Sequence, residues 1–217
     1  MSKPPRVRLV AFDMDGTLVD TVSSWSFVHQ HFGENNDESL RAFMHDEIDD
    51  EEFVRRDIAL WRRHAPAITS MEVEKILADV PIMPGAHELM RELKSRGVKT
   101  AIISGGLDLL AQRVKKELHM DMALANVFET DDRGVITRGR VMVPVKKKEA
   151  VLRGLQAQLH ISSEQTASVG NSEIDVGLFR TSRVRVAFCP QDDIVIANAT
   201  SVVGEKDLRK VLPALKD

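Results

Sequence analysis

Four short runs, VRLVAF at 7–12, VKTAIIS at 98–104, TASVG at 166–170 and VRVAF at 184–188, are nearly continuous in hydrophobicity. A strand with one wet face alternates apolar with polar residues. A strand without that alternation is covered on both faces, as in parallel sheets. Helical patterns lie between the runs, at 85–96, 107–118, 146–159 and 173–181, with a last one at 206–215. Strands and helices in alternation join through crossovers into one parallel sheet. The expected fold is therefore α/β, a Rossmann-like parallel sheet with helices on both faces.

Residues 21–81 break this rhythm. They contain no convincing strand and read as helices over 22–32, 38–45, 49–64 and 70–79, with Phe53, Ile58, Leu60 and Trp61 forming one apolar face. The acidic run at 46–52 suits a solvated helix start, where the dipole favours negative charge. Pro81 and the pair Pro84-Gly85 mark the return to the sheet. The expected organisation is a core made of 1–20 and 82–217 with a helical cap, 21–81, inserted after the first strand. Alternation about DDRG within 125–143 predicts a small β-hairpin.

With 217 residues the chain can build one sizeable core. A net charge of −3 gives no general reason to bind nucleic acid or an anionic membrane. No apolar run is long enough for a membrane span and the start lacks a secretory pattern, so the expected setting is cytoplasmic. The one cysteine, Cys189, excludes an intrachain disulfide framework and reads as a small buried side chain.

The chemistry-bearing residues stand where the apolar runs stop. Asp13 and Asp15 in FDMDGT are two apart, so in extended chain they point the same way. Ligands of open α/β sheets bind at those strand ends. Paired oxygen-rich groups suit a hard cation such as Mg²⁺, which shares its shell with phosphate. Gly16 allows a tight turn and Thr17 adds a hydroxyl. In AIISGGLD, Ser104 is followed by two glycines and a helix, an arrangement of N–H groups that binds anions. In the run Lys146-Lys147-Lys148, apolar residues at 151, 152 and 155 place Lys148 on the sheet side of a helix, with Lys147 the competitor. The segment GNSEID supplies the Asn171 amide, and Asp175 either caps the next helix or joins the acidic cluster.

In this order these elements resemble the haloacid dehalogenase superfamily. The helical insertion, ISGG and the ANVFETDDRG hairpin are similar to its phosphoserine phosphatase-like branch. The resemblance implies two-step hydrolysis of a small phosphate ester. Asp13 would be the nucleophile and Asp15 the general acid, later the base for water. Ser104, the Gly105 amide and Lys148 would bind the phosphoryl group, and Asp13, the Asp15 carbonyl, Asn171 and Asp175 would serve Mg²⁺. The family's usual carboxylate is an amide at Asn171, which implies weaker Mg²⁺ affinity. Val22 stands where true phosphoserine phosphatases place a glutamate. Asp57 stands where they place an arginine, beside Arg55 and Arg56, which are the candidate substrate residues with Val22. Trp25, Phe27 and Trp61 would make the cap side more apolar. Two other readings keep these residues: phosphoryl transfer to an acceptor other than water, and a non-catalytic phosphate-binding protein. A monomer or homodimer is expected.

Overall fold

The computed structural model describes residues 6–216, so residues 1–5 and 217 of the expected core segment lie outside the described residues. After strand β1 (Leu9–Phe12) come four helices, α1 (Ser24–His31), α2 (Asp37–Met44), α3 (Asp50–Arg62) and α4 (Ser70–Leu77). The chain then continues through α5 (Ala86–Ser95), β2 (Lys99–Leu107), α6 (Asp108–Glu117), β3 (Met122–Thr130), β4 (Ile136–Arg140), α7 (Lys148–Leu159) and β5 (Thr166–Gly170). It ends with α8 (Val176–Phe179), β6 (Val184–Phe188), α9 (Asp193–Asn198), β7 (Ser201–Val203) and a 3-10 segment, Leu208–Leu215.

One seven-stranded sheet has the order β4-β3-β2-β1-β5-β6-β7, parallel except for the antiparallel β3–β4 pair. All four residues of β1 are buried. Val10 and Phe12 belong to one apolar cluster with the helices after β1, whereas Leu9 and Ala11 belong to a second cluster with Leu152, Leu155 and Leu178. Alternate residues thus enter opposite layers, which explains why the run lacks polar positions.

The helices α1–α4 are set by local signals. Asp49 caps α3 by accepting from the Glu52 N–H, and three acidic residues occupy the first turn of that helix. Thr69 and Glu72 form a capping box at α4. The apolar faces of these helices do not close a separate core. Val28, Trp61 and Leu77 are continuous with Phe12 and Ile102. Two linkers join this layer to the sheet side by side, the Asp20 N–H donating to Pro81 and the Met83 N–H to Leu18. Arg113 of α6 donates to the carbonyls of Leu77, Ala78 and Val80.

Several elements differ from the sequence expectation. The expected hairpin forms as the antiparallel pair β3–β4, but β3 also pairs with β2, so the hairpin extends the main sheet. Strand β7 is too short, and α9 too weakly periodic, to stand out in the sequence. The segment 206–215 carries Pro213, which lacks the N–H a regular helix uses, and forms 3-10 turns. The 146–159 pattern begins with a 3-10 turn over Val145–Lys147 after Pro144, and α7 proper starts at Lys148. Cys189 is only part-buried, in a left-handed conformation (φ 44°) at the turn after β6.

Candidate active site

The strand order reverses direction at β1, where the chain first builds outward through β2 and β3 and later returns to the other side through β5, β6 and β7. Such a switch point opens a crevice beyond the carboxyl ends of the strands. Phe12 pairs with both Ile102 and Val169, so Asp13, just past the end of β1, lies within one residue of the level of Ser104 in β2 and of Asn171 after β5. Register alone brings together three residues separated by up to 158 positions.

At the centre is a buried ion cluster. Lys148, 3% exposed at the first turn of α7, donates to Asp13 Oδ1 at 2.6 Å and to Asp175 Oδ1 at 2.7 Å. The second oxygen of Asp175 accepts from the N–H groups of Asn171 (2.8 Å) and Ser172 (3.2 Å). Asp175 therefore joins the acidic cluster, and its capping is confined to the 3-10 turn Glu173–Asp175, where it completes a capping box with Ser172; α8 receives no side-chain cap from it. With both oxygens engaged, it acts on the site through Lys148. Lys147 is exposed, and Lys146 turns away to the Phe43 carbonyl and Asp46. Of the three lysines only Lys148 enters the cluster.

Asp15 is held by α1. Its Oδ2 accepts from the Ser24 N–H and the Ser24 hydroxyl, both at 2.9 Å, while Oδ1 is buried with no hydrogen-bond partner. Gly16 has φ +72°, and a Cβ there would stand 2.1 Å from Asn171 Nδ2, so both conformation and contact require glycine. Thr17 is fully buried with its hydroxyl unpartnered.

The Ser104-Gly105-Gly106 stretch is not the strand-to-helix turn the sequence suggests. Strand β2 runs on to Leu107, with its register to β3 broken between Ile103 and Leu107, and α6 begins afterwards. Irregularities of this kind re-aim backbone groups near functional sites. A Cβ on Gly105 would meet Val145 at 2.7 Å, and one on Gly106 would meet Ser24 Oγ at 2.5 Å. Ser104 Oγ accepts the Gly106 N–H at 3.0 Å, so its own proton is left to donate. The Gly105 carbonyl is held by Asn126 Nδ2 (2.9 Å) and Trp25 Nε1 (3.1 Å). Asn126 and Ser24 escaped the sequence reading. An amide inside the apolar stretch MALANVF was a usable signal for Asn126; Ser24 had none beyond its place near a helix start.

Burial pushes Asp13 up to about 7, helped by the Asp175 charge and opposed by Lys148. Burial also raises Asp15 to about 6, against the two Ser24 hydrogen bonds. For Lys148 burial disfavours the charge, but the two carboxylates outweigh it and hold the ammonium above the ordinary lysine range. One lysine facing two aspartates, with Asp15 alongside, leaves the cluster short of positive charge. The donors are all hard oxygens, which fits a divalent cation or extra protons. Among the described residues no group of three or more His, Cys, Asp and Glu could hold a metal, so carbonyl and amide oxygens would have to complete a shell.

The candidate substrate residues take no part in the buried ion cluster. Val22 is 77% exposed. Arg55 and Arg56 bind Glu52 of their own helix. Asp57 is buried against His29 and accepts from Asn36. Trp25 and Trp61 stack at 5.5 Å with Phe128 edge-on to both, an apolar wall within the packed layer. At Cys189 burial raises the thiol pKa, which leaves it unactivated.

The sequence profile of haloacid dehalogenase-like hydrolases matches residues 10–180. A phosphoserine phosphatase from Wolinella succinogenes is 32% identical over 212 residues, covering 96% of this chain and 100% of that protein. One from Methanocaldococcus jannaschii is 28% identical, covering 96% and 98%. A solved structure described as a phospho-aspartyl intermediate analogue of phosphoserine phosphatase superposes with a TM-score of 0.81 at 27% identity, over 98% of this chain and 100% of that one. The fold is a mostly parallel α/β sheet with acidic residues gathered at its switch point. The chain belongs to the haloacid dehalogenase-like hydrolase family.

Proposed function

We propose that this chain is a phosphatase that hydrolyses a small phosphate monoester through an aspartyl-phosphate on Asp13. The observation that carries this reading is the buried Asp13–Lys148–Asp175 cluster beside Asp15, at the ends of β1 and β5. A pure binder of phosphate has no use for carboxylates that repel its ligand, whereas a nucleophile and a proton carrier are what the reaction requires.

Asp13 attacks phosphorus while the ester oxygen leaves with a proton from Asp15. Asp15 then takes a proton from water as that water attacks the aspartyl-phosphate, releasing inorganic phosphate and restoring both aspartates. A carboxyl near pH 6 suits this double duty, since it gains and loses its proton close to neutrality. Ser104, the Gly105 N–H, Thr17 and Lys148 hold the phosphoryl oxygens, and Asp175 aims Lys148. The cofactor of this reading is Mg²⁺, which Asp13, the Asp15 carbonyl and Asn171 would hold with Asp175 behind them. When bound it offsets the repulsion between phosphate and carboxylates.

In this reading residues 21–81 act as a cap over the core formed by 1–20 and 82–217. The relatives' name makes phosphoserine the first ester to test, alongside other small phosphorylated metabolites. Among the described residues no helix is long and apolar enough to cross a membrane. A cytoplasmic monomer or homodimer completes the proposal; a single cysteine fits a reducing compartment. Purified protein is expected to hydrolyse p-nitrophenyl phosphate with Mg²⁺ and to lose that activity in Asp13→Asn. Absence of turnover across a wide Mg²⁺ range overturns the proposal.

A further inference from the structure

Ser24 is fully buried at the start of α1 and makes three hydrogen bonds that meet at the site. Its N–H and its hydroxyl both donate to Asp15 Oδ2 at 2.9 Å, and its oxygen accepts the Leu107 N–H at 3.0 Å. One small side chain thus ties the first helix after β1 to Asp15 and to the end of β2. Gly106 is bare where this happens: a Cβ there would stand 2.5 Å from Ser24 Oγ and 2.7 Å from Asp15 Oδ2. The close approach is therefore built into two elements. Two donors saturate one carboxyl oxygen of Asp15, and the other, Oδ1, is left buried and unpartnered.

We infer that Ser24 is a positioning residue that fixes the Asp15 carboxyl, making Oδ1 the atom that passes the proton to the leaving oxygen. This rests on the proposed phosphatase reaction. In the step concerned, Asp13 forms its bond to phosphorus, the ester P–O bond breaks, and the proton on Asp15 Oδ1 moves to the departing oxygen. A carboxyl with its free oxygen locked in place loses no time to rotation when the bond breaks. Ser24 touches neither substrate nor phosphate in this role.

The test compares kcat/KM for p-nitrophenyl phosphate, whose phenolate leaves without help, with phenyl phosphate, whose more basic phenolate needs the proton. Ser24→Ala is expected to lower the phenyl phosphate value about tenfold more than the p-nitrophenyl phosphate value, a fraction of what general acids contribute. Because both esters are measured on one preparation, the ratio is independent of the folded fraction. Ser24→Cys, close in size and a far weaker donor, carries the same expectation should the alanine variant fold poorly. Ser24→Thr, which keeps the hydroxyl, is expected to restore the ratio. Ser23→Ala removes only the helix cap and is expected to leave it unchanged. An equal fall for both esters in Ser24→Ala and Ser24→Cys overturns the inference and leaves the phosphatase reading standing. No turnover of either ester by the wild type overturns both.

Discussion

Replacing Asp13 by asparagine should stabilise the metal-free protein, and by an amount that depends on pH. The wild-type carboxyl is raised from 3.8 to about 7, first by burial and then by Asp175. Between these two values the folded state keeps a proton that the unfolded chain has released. Stability from this group is fully present below about pH 4 and is lost as pH rises through 7, at about 1.4 kcal/mol per pH unit. From about pH 5 to about pH 8 the loss comes to about 3 kcal/mol. Asparagine does not titrate and its carbonyl can still accept from Lys148, which keeps Asp175 as a neutralising partner. The variant's gain over wild type should therefore be larger by about 3 kcal/mol at about pH 8 than at about pH 5. The Asp13–Asp15 repulsion is already part of the Asp13 shift, and the rest of the Asp15 titration is common to both proteins. Urea unfolding in EDTA at the two pH values measures both stabilities. A gain that is equal at the two pH values, or larger at the lower one, would refute the idea that the site buries uncompensated negative charge.

Three further outcomes follow from the same geometry. Lys148→Met leaves Asp13 and Asp175 facing each other without a cation, so it should cost about 3–5 kcal/mol at neutral pH and abolish turnover; denaturant unfolding beside the p-nitrophenyl phosphate assay checks both. Gly16→Ala forces a side chain into positive φ and against Asn171, which should cost about 1–3 kcal/mol and lower kcat, read by thermal melting and steady-state kinetics. Asn171→Asp adds a hard anionic oxygen at the end of β5 and should lower the Mg²⁺ concentration for half-maximal activity; no gain in affinity would remove Asn171 from the proposed metal shell.

The sheet was legible because burial on both faces leaves a mark: no polar position stands in LVAF, and the polar residues of TASVG, Thr166 and Ser168, are small. The helices after β1 were legible from apolar spacing and from the acidic start of α3. Asp13, Ser104, Lys148 and Asp175 could be picked out because each stands where an apolar run stops or a helix begins. What escaped was whatever depends on backbone path or on a distant partner. The irregularity that carries Ser104-Gly105-Gly106 inside β2 follows from pairing with β3, and glycine pairs look alike in a turn and in a bulge. Lys146 and Lys148 are two apart, yet one serves α2 and the other the acidic cluster; only the 3-10 turn after Pro144 sends them apart. The partners of the candidate substrate residues were hidden for a related reason. A helix face cannot be assigned to an opening from sequence when, as at Arg55 and Arg56, a neighbour on the same helix takes the charge.

The amide at Asn171 belongs to the same electrostatic problem as the Asp13 prediction. The strand ends already bring Asp13, Asp15 and Asp175 close to one buried lysine. A fourth carboxylate at 171, packed against Gly16, would add negative charge to a cluster in which Asp13 and Asp15 already resist ionising. In the metal-free chain that addition would raise the cost of folding, while with Mg²⁺ at the proposed site it would strengthen the ion's hold. Asparagine keeps an oxygen donor at the position without the charge, so under the proposed metal site it would favour a stable metal-free fold over tight metal binding. The two measurements are then coupled. Asn171→Asp should lower stability in EDTA and restore it with Mg²⁺, and the difference between the two conditions should exceed that of the wild type. A variant equally stable in EDTA would mean that position 171 lies outside the field of the cluster, and the weakened-metal reading would go with it.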